Sequence, residues 1–210
     1  YEDIFPIVEE KVKPEREQNK DKIAHDFWWR FLRSRSELYH AIGRGSSFDK
    51  HPEGWSNDSA RPERVLACSR VSKHLIMSLC NAEMVFADAT FVFVVARQFP
   101  VLQSNIHESW ARKQSSSLES RMRYTPATCY ETFPFPLSPL PQLESIGEQL
   151  DALRRQMMVL RNIGLTALYN LFHNPAEKDA ELEEMRKLQR EIDEAVRDAY
   201  GWSDIDLGHG

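Results

Sequence analysis

Three cysteines, Cys68, Cys80 and Cys129, are all that the 210 residues contain, and no two of them stand as Cys-x-x-Cys. An odd set of this kind supports neither a disulfide framework nor a zinc site, and it fits a reducing, cytoplasmic setting. The seven histidines, at 25, 40, 51, 74, 107, 173 and 209, show no His-x-x-x-His or His-Glu-x-x-His spacing. No metal is expected. No apolar run is long enough to span a bilayer, and the opening Tyr1-Glu-Asp-Ile-Phe-Pro6 is acidic where a signal peptide is basic. No membrane partner is expected. Also missing are a Gly-rich phosphate loop, a Gly-x-Ser-x-Gly elbow, and the acidic pair followed by a strand lysine that a metal-dependent nuclease uses. Asp88, after Val85-Phe86, is the one strand-end carboxylate in reach of such a role, and capping its own loop accounts for it more simply. No catalytic residue, cofactor-binding residue or metal ligand is assigned.

With 41% hydrophobic residues the chain has enough apolar content for one large core or two small ones. It opens on Tyr1 in the middle of what reads as an element, and is expected to be a piece of a longer polypeptide. Its net charge of -5 conceals an asymmetry: residues 61–125 hold 9 Lys/Arg against 5 Asp/Glu, and residues 126–210 hold 8 against 15. A basic module joined to an acidic one suits a polyanionic partner, although a solvated surface explains an excess of this size about as well.

The change of charge coincides with a change of texture at Tyr124-Thr-Pro-Ala-Thr-Cys-Tyr-Glu-Thr-Phe-Pro-Phe-Pro136. Three prolines in this stretch exclude a helix interior, because proline lacks a donor and holds its predecessor extended. The segment reads as an extended strap. Its aromatic side chains are too many to leave in water, so Tyr124, Tyr130, Phe133 and Phe135 are expected to pin the junction between two substructures.

Upstream, residues 7–35 mix charges with a few apolar residues, and Pro14 begins or interrupts a helix. Phe27, Trp28, Trp29, Phe31 and Leu32 follow, interleaved with Arg30, Arg33 and Arg35. A packing cluster with snorkelling arginines is favoured there over a surface that stacks on nucleic acid. Residues 43–63 are rich in turn formers and read as a long loop with Trp55 as its anchor. From Arg64 the apolar runs 65–68, 75–80, 84–86 and 91–95 predict strands of an antiparallel or mixed sheet. Val101, Leu102, Ile106 and Trp110 predict an amphipathic helix over 101–114, broken by Ser115-Ser116-Ser117.

After the strap, Leu143, Ile146, Leu150, Leu153, Met157 and Leu160 recur at alternating spacings of three and four, the seam of a helix that packs lengthwise. Ser138-Pro139-Leu140-Pro141 sets its start, and Gly164 its end or a bend. Leu182, Met185, Leu188, Ile192, Val196 and Ala199 form the matching stripe on a second helix from Glu177 to Tyr200. The expected fold is therefore α+β, a small mixed or antiparallel sheet followed by a long antiparallel helix pair. The expected divisions are 1–125, the strap at 126–141, and the helices at 142–210.

Several stretches together resemble a known family. They are Tyr1-Glu-Asp-Ile-Phe-Pro-Ile-Val-Glu-Glu-Lys-Val-Lys-Pro-Glu-Arg16, Trp28-Trp29-Arg30-Phe31, Arg64-Val-Leu-Ala-Cys-Ser-Arg-Val-Ser-Lys73, Val85-Phe-Ala-Asp-Ala-Thr90, and Tyr124-Thr-Pro through Phe133-Pro-Phe-Pro136. Gly164-Leu-Thr-Ala-Leu-Tyr-Asn170, Phe172-His173 and Asp198-Ala-Tyr-Gly-Trp202 continue the likeness through the helices. The whole resembles the C-terminal part of large bacterial adenine-specific DNA methyltransferases that use S-adenosylmethionine, of the fused type IIG/IIL restriction-modification kind, and their phage-defence relatives. The resemblance implies a target-recognition domain over 1–125 and a helical spacer over 142–210. The family's Asn/Asp-Pro-Pro-Tyr/Phe methylation motif and Gly-rich cofactor motif are absent, and Asn174-Pro175-Ala176 is only a superficial likeness. The segment is thus expected to bind and position double-stranded DNA for a catalytic methyltransferase domain of the same parent polypeptide, with S-adenosylmethionine bound there and no cofactor here.

Side chains on a sheet and its loops can read base edges in the major groove, while Lys and Arg fix the register on phosphates. Arg64, Arg70, Lys73, Arg97, Arg121 and Arg123 are the candidates for DNA contact, because they flank strands or the basic boundary. Two other readings compete. In one, the helix pair docks other subunits of a defence complex and the basic charge is incidental; in the other, which the missing motifs disfavour, the segment is itself an enzyme.

Overall fold

The computed structural model describes residues 4–30, 35–44, 61–118, 121–136 and 141–208. They fall into two compact units, Tyr1–Ala60 and Arg61–Gly210. The changes of texture near 125 and 141 both lie inside the second unit, so the strap and the helices share it with the strands.

In the first unit, helix α1 (Phe5–Glu17) contains Pro14 in its interior and buries no residue. Helix α2 (Lys22–Asp26) is started by Asp21, whose carboxylate accepts the N–H groups of Ile23 and Ala24. The aromatic cluster that follows is partly self-packed. Trp28 lies 5.6 Å from Phe5 with Lys13 Nζ 5.2 Å over its ring, and the Arg30 guanidinium stands over both Phe27 and Trp29. Phe27 and Trp29 nevertheless remain exposed. Helix α3 (Ser36–Ala41) is followed by Gly43 at φ 70°, a left-handed position that glycine takes without strain. Phe31, Leu32, Arg33 and most of the expected loop, including Trp55, lie outside the described residues.

The second unit opens with two small antiparallel sheets. Strands β1 (Arg64–Ser69), β3 (Ser78–Asn81) and β4 (Thr90–Phe93) form one, in the order β3-β1-β4. Strands β2 (Val71–Ser72), β5 (Ser116–Leu118) and β6 (Arg121–Arg123) form the other, in the order β2-β6-β5. Arg70 joins them: its N–H donates to the Ala89 carbonyl beside the first sheet, and its carbonyl accepts from Tyr124 N–H beside the second. The second sheet replaces what the sequence reads as connections, because strands of two or three residues leave no alternation to detect.

Two expected strands are shorter or missing. Leu75, Ile76 and Met77 are not paired in a sheet although Leu75 and Met77 are buried. The backbone of Met77 is satisfied by side chains instead, its N–H by Gln103 Oε1 at 2.9 Å and its carbonyl by Arg154 at 3.0 Å. Residues 84–86 form no strand either. The Asn81 side chain accepts Glu83 N–H and turns the chain, and Met84 and Val85 stand in solvent.

The expected helix over 101–114 is two helices, α4 (Phe99–Gln103) and α5 (Asn105–Gln114). Ser104 between them is extended, and its hydroxyl accepts His107 N–H, a cap that restarts the helix in a new direction. The strap is likewise not extended throughout. Pro126–Cys129 forms a short helix, α6, where proline occupies a first-turn position whose N–H has no partner to lose.

Helices α7 (Pro141–Arg161), α8 (Leu165–Phe172) and α9 (Ala180–Ala199) complete the unit. Arg161 at the end of α7 pairs with Asp179 and Glu181 at the start of α9, so the two long helices run antiparallel. The α9 stripe is buried from Leu182 to Val196, and Leu143, Leu150 and Met157 of α7 pack against it in one core. Leu160, expected on the same seam, is 67% exposed beside Val159 at 80%. A strict three-four spacing drifts around a straight helix by about 20° per heptad, and by the last turn of α7 it has left the interface. Nor does Gly164 end the helix. Asn162 does so, at φ 51°, and Gly164 is the extended residue before α8. Gly147 permits the crossing of α7 over α4, since a Cβ there would lie 2.7 Å from Pro100 Cγ.

Two apolar cores result, one under the sheets and one among the helices, and Phe135 packs against both. Tyr124 and Phe133 are buried, and the strap's rings are continuous with the cores. Tyr130 lies 4.8 Å from Phe93, Phe135 is edge-on to Tyr130 and to Phe133, and Phe133 is edge-on to His107 at 4.6 Å. Because Phe135 is only half-buried, its replacement by alanine is expected to cost about 2 kcal/mol, below the range for a full core phenylalanine. Urea unfolding of the variant measures this, and a loss under half that size would show that the two cores do not depend on the ring that joins them.

Candidate nucleic-acid interface

The β2-β6-β5 sheet is a ribbon with one buried and one open face. In β6, Met122 is buried while Arg121 and Arg123 are exposed, so alternation along the strand puts both guanidinium groups on the same outer face. The partners of Arg123 across the ribbon are Val71 and Ser116, both of them exposed and small or apolar rather than acidic. Arg70, at the junction of the sheets, lies 5.0 Å over the Phe91 ring and donates to the Asp88 carbonyl at 3.0 Å. Stacking fixes its plane and leaves donors of its fork available.

Past the last β2 pairing, Ser72 with Met122, the chain reaches Lys73, so Lys73 and Arg121 lie at the same end of the ribbon. Here α5 and α8 meet the strand end. Lys73 Nζ donates to Asn170 Oδ1 at 2.8 Å, His74 Nε2 is 3.0 Å from the same oxygen, and Arg112 Nη2 donates to the Lys73 carbonyl at 3.1 Å. Arg112 also pairs with Glu108 through Nε at 2.8 Å. The His173 ring stacks on His74 with centroids 4.8 Å apart and planes 17° apart, and stands edge-on to Phe172. Burial, then the neighbouring His74, holds the His173 proton affinity below the ordinary histidine value.

The remaining candidates lie apart. Arg64 begins β1 and is held by Glu148 of α7, Nη1 to Oε2 at 2.7 Å, an ion pair that pulls the Glu148 carboxyl below its usual range. A phosphate would compete with that carboxylate for the fork. Arg97 is exposed on the 3-10 turn Ala96–Gln98, with no hydrogen bond or ion pair among the described residues to join it to the ribbon.

Elsewhere, His107 and Cys68 are buried titratable groups held in neutral form. His107 is buried against the Tyr124 hydroxyl at 3.1 Å, and burial pushes it down to about 4, so it is neutral. Burial pushes the Cys68 thiol up to about 12, which removes the thiolate needed for reactivity. No group of His, Cys, Asp and Glu among the described residues is arranged to hold a metal. Asn174 of the Asn-Pro-Ala stretch accepts Ala176 N–H through its side chain, and its carbonyl accepts from Arg186. An open groove of about 400 Å³ lies between α5, the strap and the tail after α9, walled by Trp110, Phe133 and the stacked rings of Tyr200 and Trp202.

Sequence reasoning picked out the strand-flanking arginines but not Arg112, Asn170 or His173 as members of one cluster with Lys73. Nearly one hundred residues separate Lys73 from Asn170, and no spacing rule joins them. The adjacent basic pair Arg112-Lys113 is the local sequence signal near this end of the ribbon.

No helix among the described residues is long and apolar enough to cross a membrane. A comparison with curated proteins gives no match. Residues 41–137, which include both sheets and nearly all of the strap, match the family described as MmeI, target recognition domain. Over that span the chain is similar to the MmeI target recognition domain, and it fits the target-recognition region of restriction-modification methyltransferases.

Proposed function

We propose that this chain is the DNA sequence-recognition module of a bacterial, cytoplasmic S-adenosylmethionine-dependent adenine-specific DNA methyltransferase, alone or fused to restriction activity. In this reading it positions duplex DNA for a catalytic domain in the same parent polypeptide. The observation that carries it is the open face of the β2-β6-β5 ribbon, where Arg121 and Arg123 project together inside the matched span. Arg70 and Lys73 extend the basic edge, while Arg64 and Arg97 lie apart from it. A ribbon of this kind fits the major groove, where every base pair presents a distinct pattern of donors and acceptors.

The test is the salt dependence of duplex binding, since each neutralised phosphate contributes about -0.9 to the slope of log affinity against log salt. If both arginines meet phosphates, the Arg121→Ala/Arg123→Ala double variant is expected to flatten that slope by about 1.8. An unchanged slope and affinity would remove the ribbon from the interface.

A second reading has an observation in its favour: Val159 and Leu160 form an exposed apolar step at the end of α7. That step suits docking of another subunit, with the basic ribbon incidental. Salt-insensitive DNA binding, together with association that Leu160→Glu abolishes, would favour it over DNA recognition.

A further inference from the structure

We propose that Lys73, Arg112 and His173 form a proton-linked clamp for a backbone phosphate of duplex DNA, which makes the end of helix α8 part of the DNA contact. The inference rests on the DNA-recognition reading and adds to it a contact from the helical segment and a dependence on pH.

The cluster has more positive charge than it can neutralise. Glu108 is the one carboxylate among the groups that face His173, and it is already taken by Arg112. The Lys73 ammonium is held by Asn170 Oδ1, a neutral acceptor, which leaves two of its three N–H donors for an incoming oxygen. His74 Nε2 shares that amide oxygen, so its ring is fixed by a donated hydrogen bond. A fixed, buried ring is what His173 stacks upon; His173 is exposed as a residue, while the ring contacts with His74 and Phe172 desolvate part of its imidazole. Three cationic or protonatable side chains from three elements thus meet at the end of the ribbon that also carries Arg121.

The stacked pair gives the clamp its pH sensitivity. Two imidazolium rings face to face repel, and Lys73 and Arg112 add to the repulsion while Glu108 opposes it. Without a ligand, His173 is therefore neutral at neutral pH. A phosphate placed among these groups supplies the missing negative charge and favours the protonated ring. Binding then takes up a proton, and linkage requires affinity to rise as pH falls through the histidine range.

The experiment measures fluorescence anisotropy of a labelled, mixed-sequence duplex with the full chain, from about pH 7.5 to about pH 5.5. Affinity is expected to rise about three- to tenfold across that range. His173→Gln keeps a polar side chain at an exposed position and is expected to abolish the rise, while its unfolding midpoint stays that of the parent. Lys73→Ala and Arg112→Ala are each expected to lower the salt slope by about 0.9. Inorganic phosphate, added at constant ionic strength, distinguishes the source of the anion. Thermal stabilisation of the parent but not of Lys73→Ala by millimolar phosphate, with no displacement of the duplex, would show a free-anion site that the DNA does not use and overturn the proposal. Salt-sensitive binding that depends on Arg121 and Arg123 but keeps its pH profile in His173→Gln would overturn the clamp alone. Absence of salt-sensitive binding under all conditions would overturn DNA recognition itself.

Discussion

Arg154→Ala is expected to destabilise the unit Arg61–Gly210 by about 3–5 kcal/mol, enough to lower its thermal midpoint by roughly 10 °C. Arg154 projects from α7 and is 1% exposed, one of the largest fully buried side chains among the described residues. Its fork donates to the Met77 carbonyl at 3.0 Å, the Tyr169 hydroxyl at 3.1 Å and Asp151 at 2.9 Å, and its carbon lies 5.1 Å over the Phe99 ring. One guanidinium therefore ties α7 to the segment before β3, to α8 and to α4. Truncation leaves a buried carbonyl without its donor, a cavity, and Asp151 dependent on the half-exposed Arg155. Lysine retains the charge but not the planar fork, and is expected to recover less than half of the loss. Urea unfolding of both variants measures the effect; a cost below about 1 kcal/mol for alanine would show that the helices hold the sheet through apolar contacts alone.

Asp193→Asn is expected to stabilise the same unit above neutral pH by about 4 kcal/mol, and to expose an acid weakness that the parent conceals. Asp193 is fully buried on α9, accepts Asn105 N–H at 2.7 Å and is bonded by Gln189 at 3.1 Å. Burial outweighs these bonds, with Glu108 and Glu194 acting in the same direction, and the carboxyl is raised to about 7. The folded protein then holds a proton that the unfolded chain releases above the ordinary aspartate range. Stability from this group is greatest at low pH and is lost as pH rises towards 7. His107, one turn into α5, acts oppositely. Lowered to about 4 by burial, it favours folding above the ordinary histidine value and costs stability as pH falls from there. Between about pH 4 and 6.5 the two slopes nearly cancel, each being worth about 1.4 kcal/mol per pH unit.

In Asp193→Asn one slope is gone, and the variant is expected to lose about 3 kcal/mol on acidification across that window while the parent stays flat. Asparagine keeps the oxygen that accepts from Asn105, so the helix start is preserved. Urea unfolding at a series of pH values gives both curves. Parallel curves would show that Asp193 is not protonated in the folded state.

The elements most legible in the sequence were those with long periods. The α9 stripe from Leu182 to Val196 and the α7 stripe through Met157 are buried where the three-four spacing puts them, because a helix of five turns repeats its signal enough to be read. Strand β1 was equally plain, as a run of four buried residues. Ribbon strands β2, β5 and β6 were not, since two or three residues contain no period. The 75–77 run failed for another reason: its apolar side chains are buried as read, but Gln103 and Arg154 supply the hydrogen bonds that a neighbouring strand would have made. Leu160 failed through helical drift.

Composition and local chemistry alone determined the α+β class, the two antiparallel helices, the aromatic density of the strap and the basic charge before it. These depend on neighbours in sequence, through period, turn chemistry and charge. The sharing of one unit by sheet, strap and helices was decided only by tertiary structure, through Arg154, Arg155 and the Arg64–Glu148 pair. So was the meeting of Lys73 with Asn170 and His173, and the burial of Asp193 against Asn105. Each of these joins residues dozens of positions apart, and its strength comes from burial and from the geometry of the closed chain, neither of which leaves a periodic mark on the sequence.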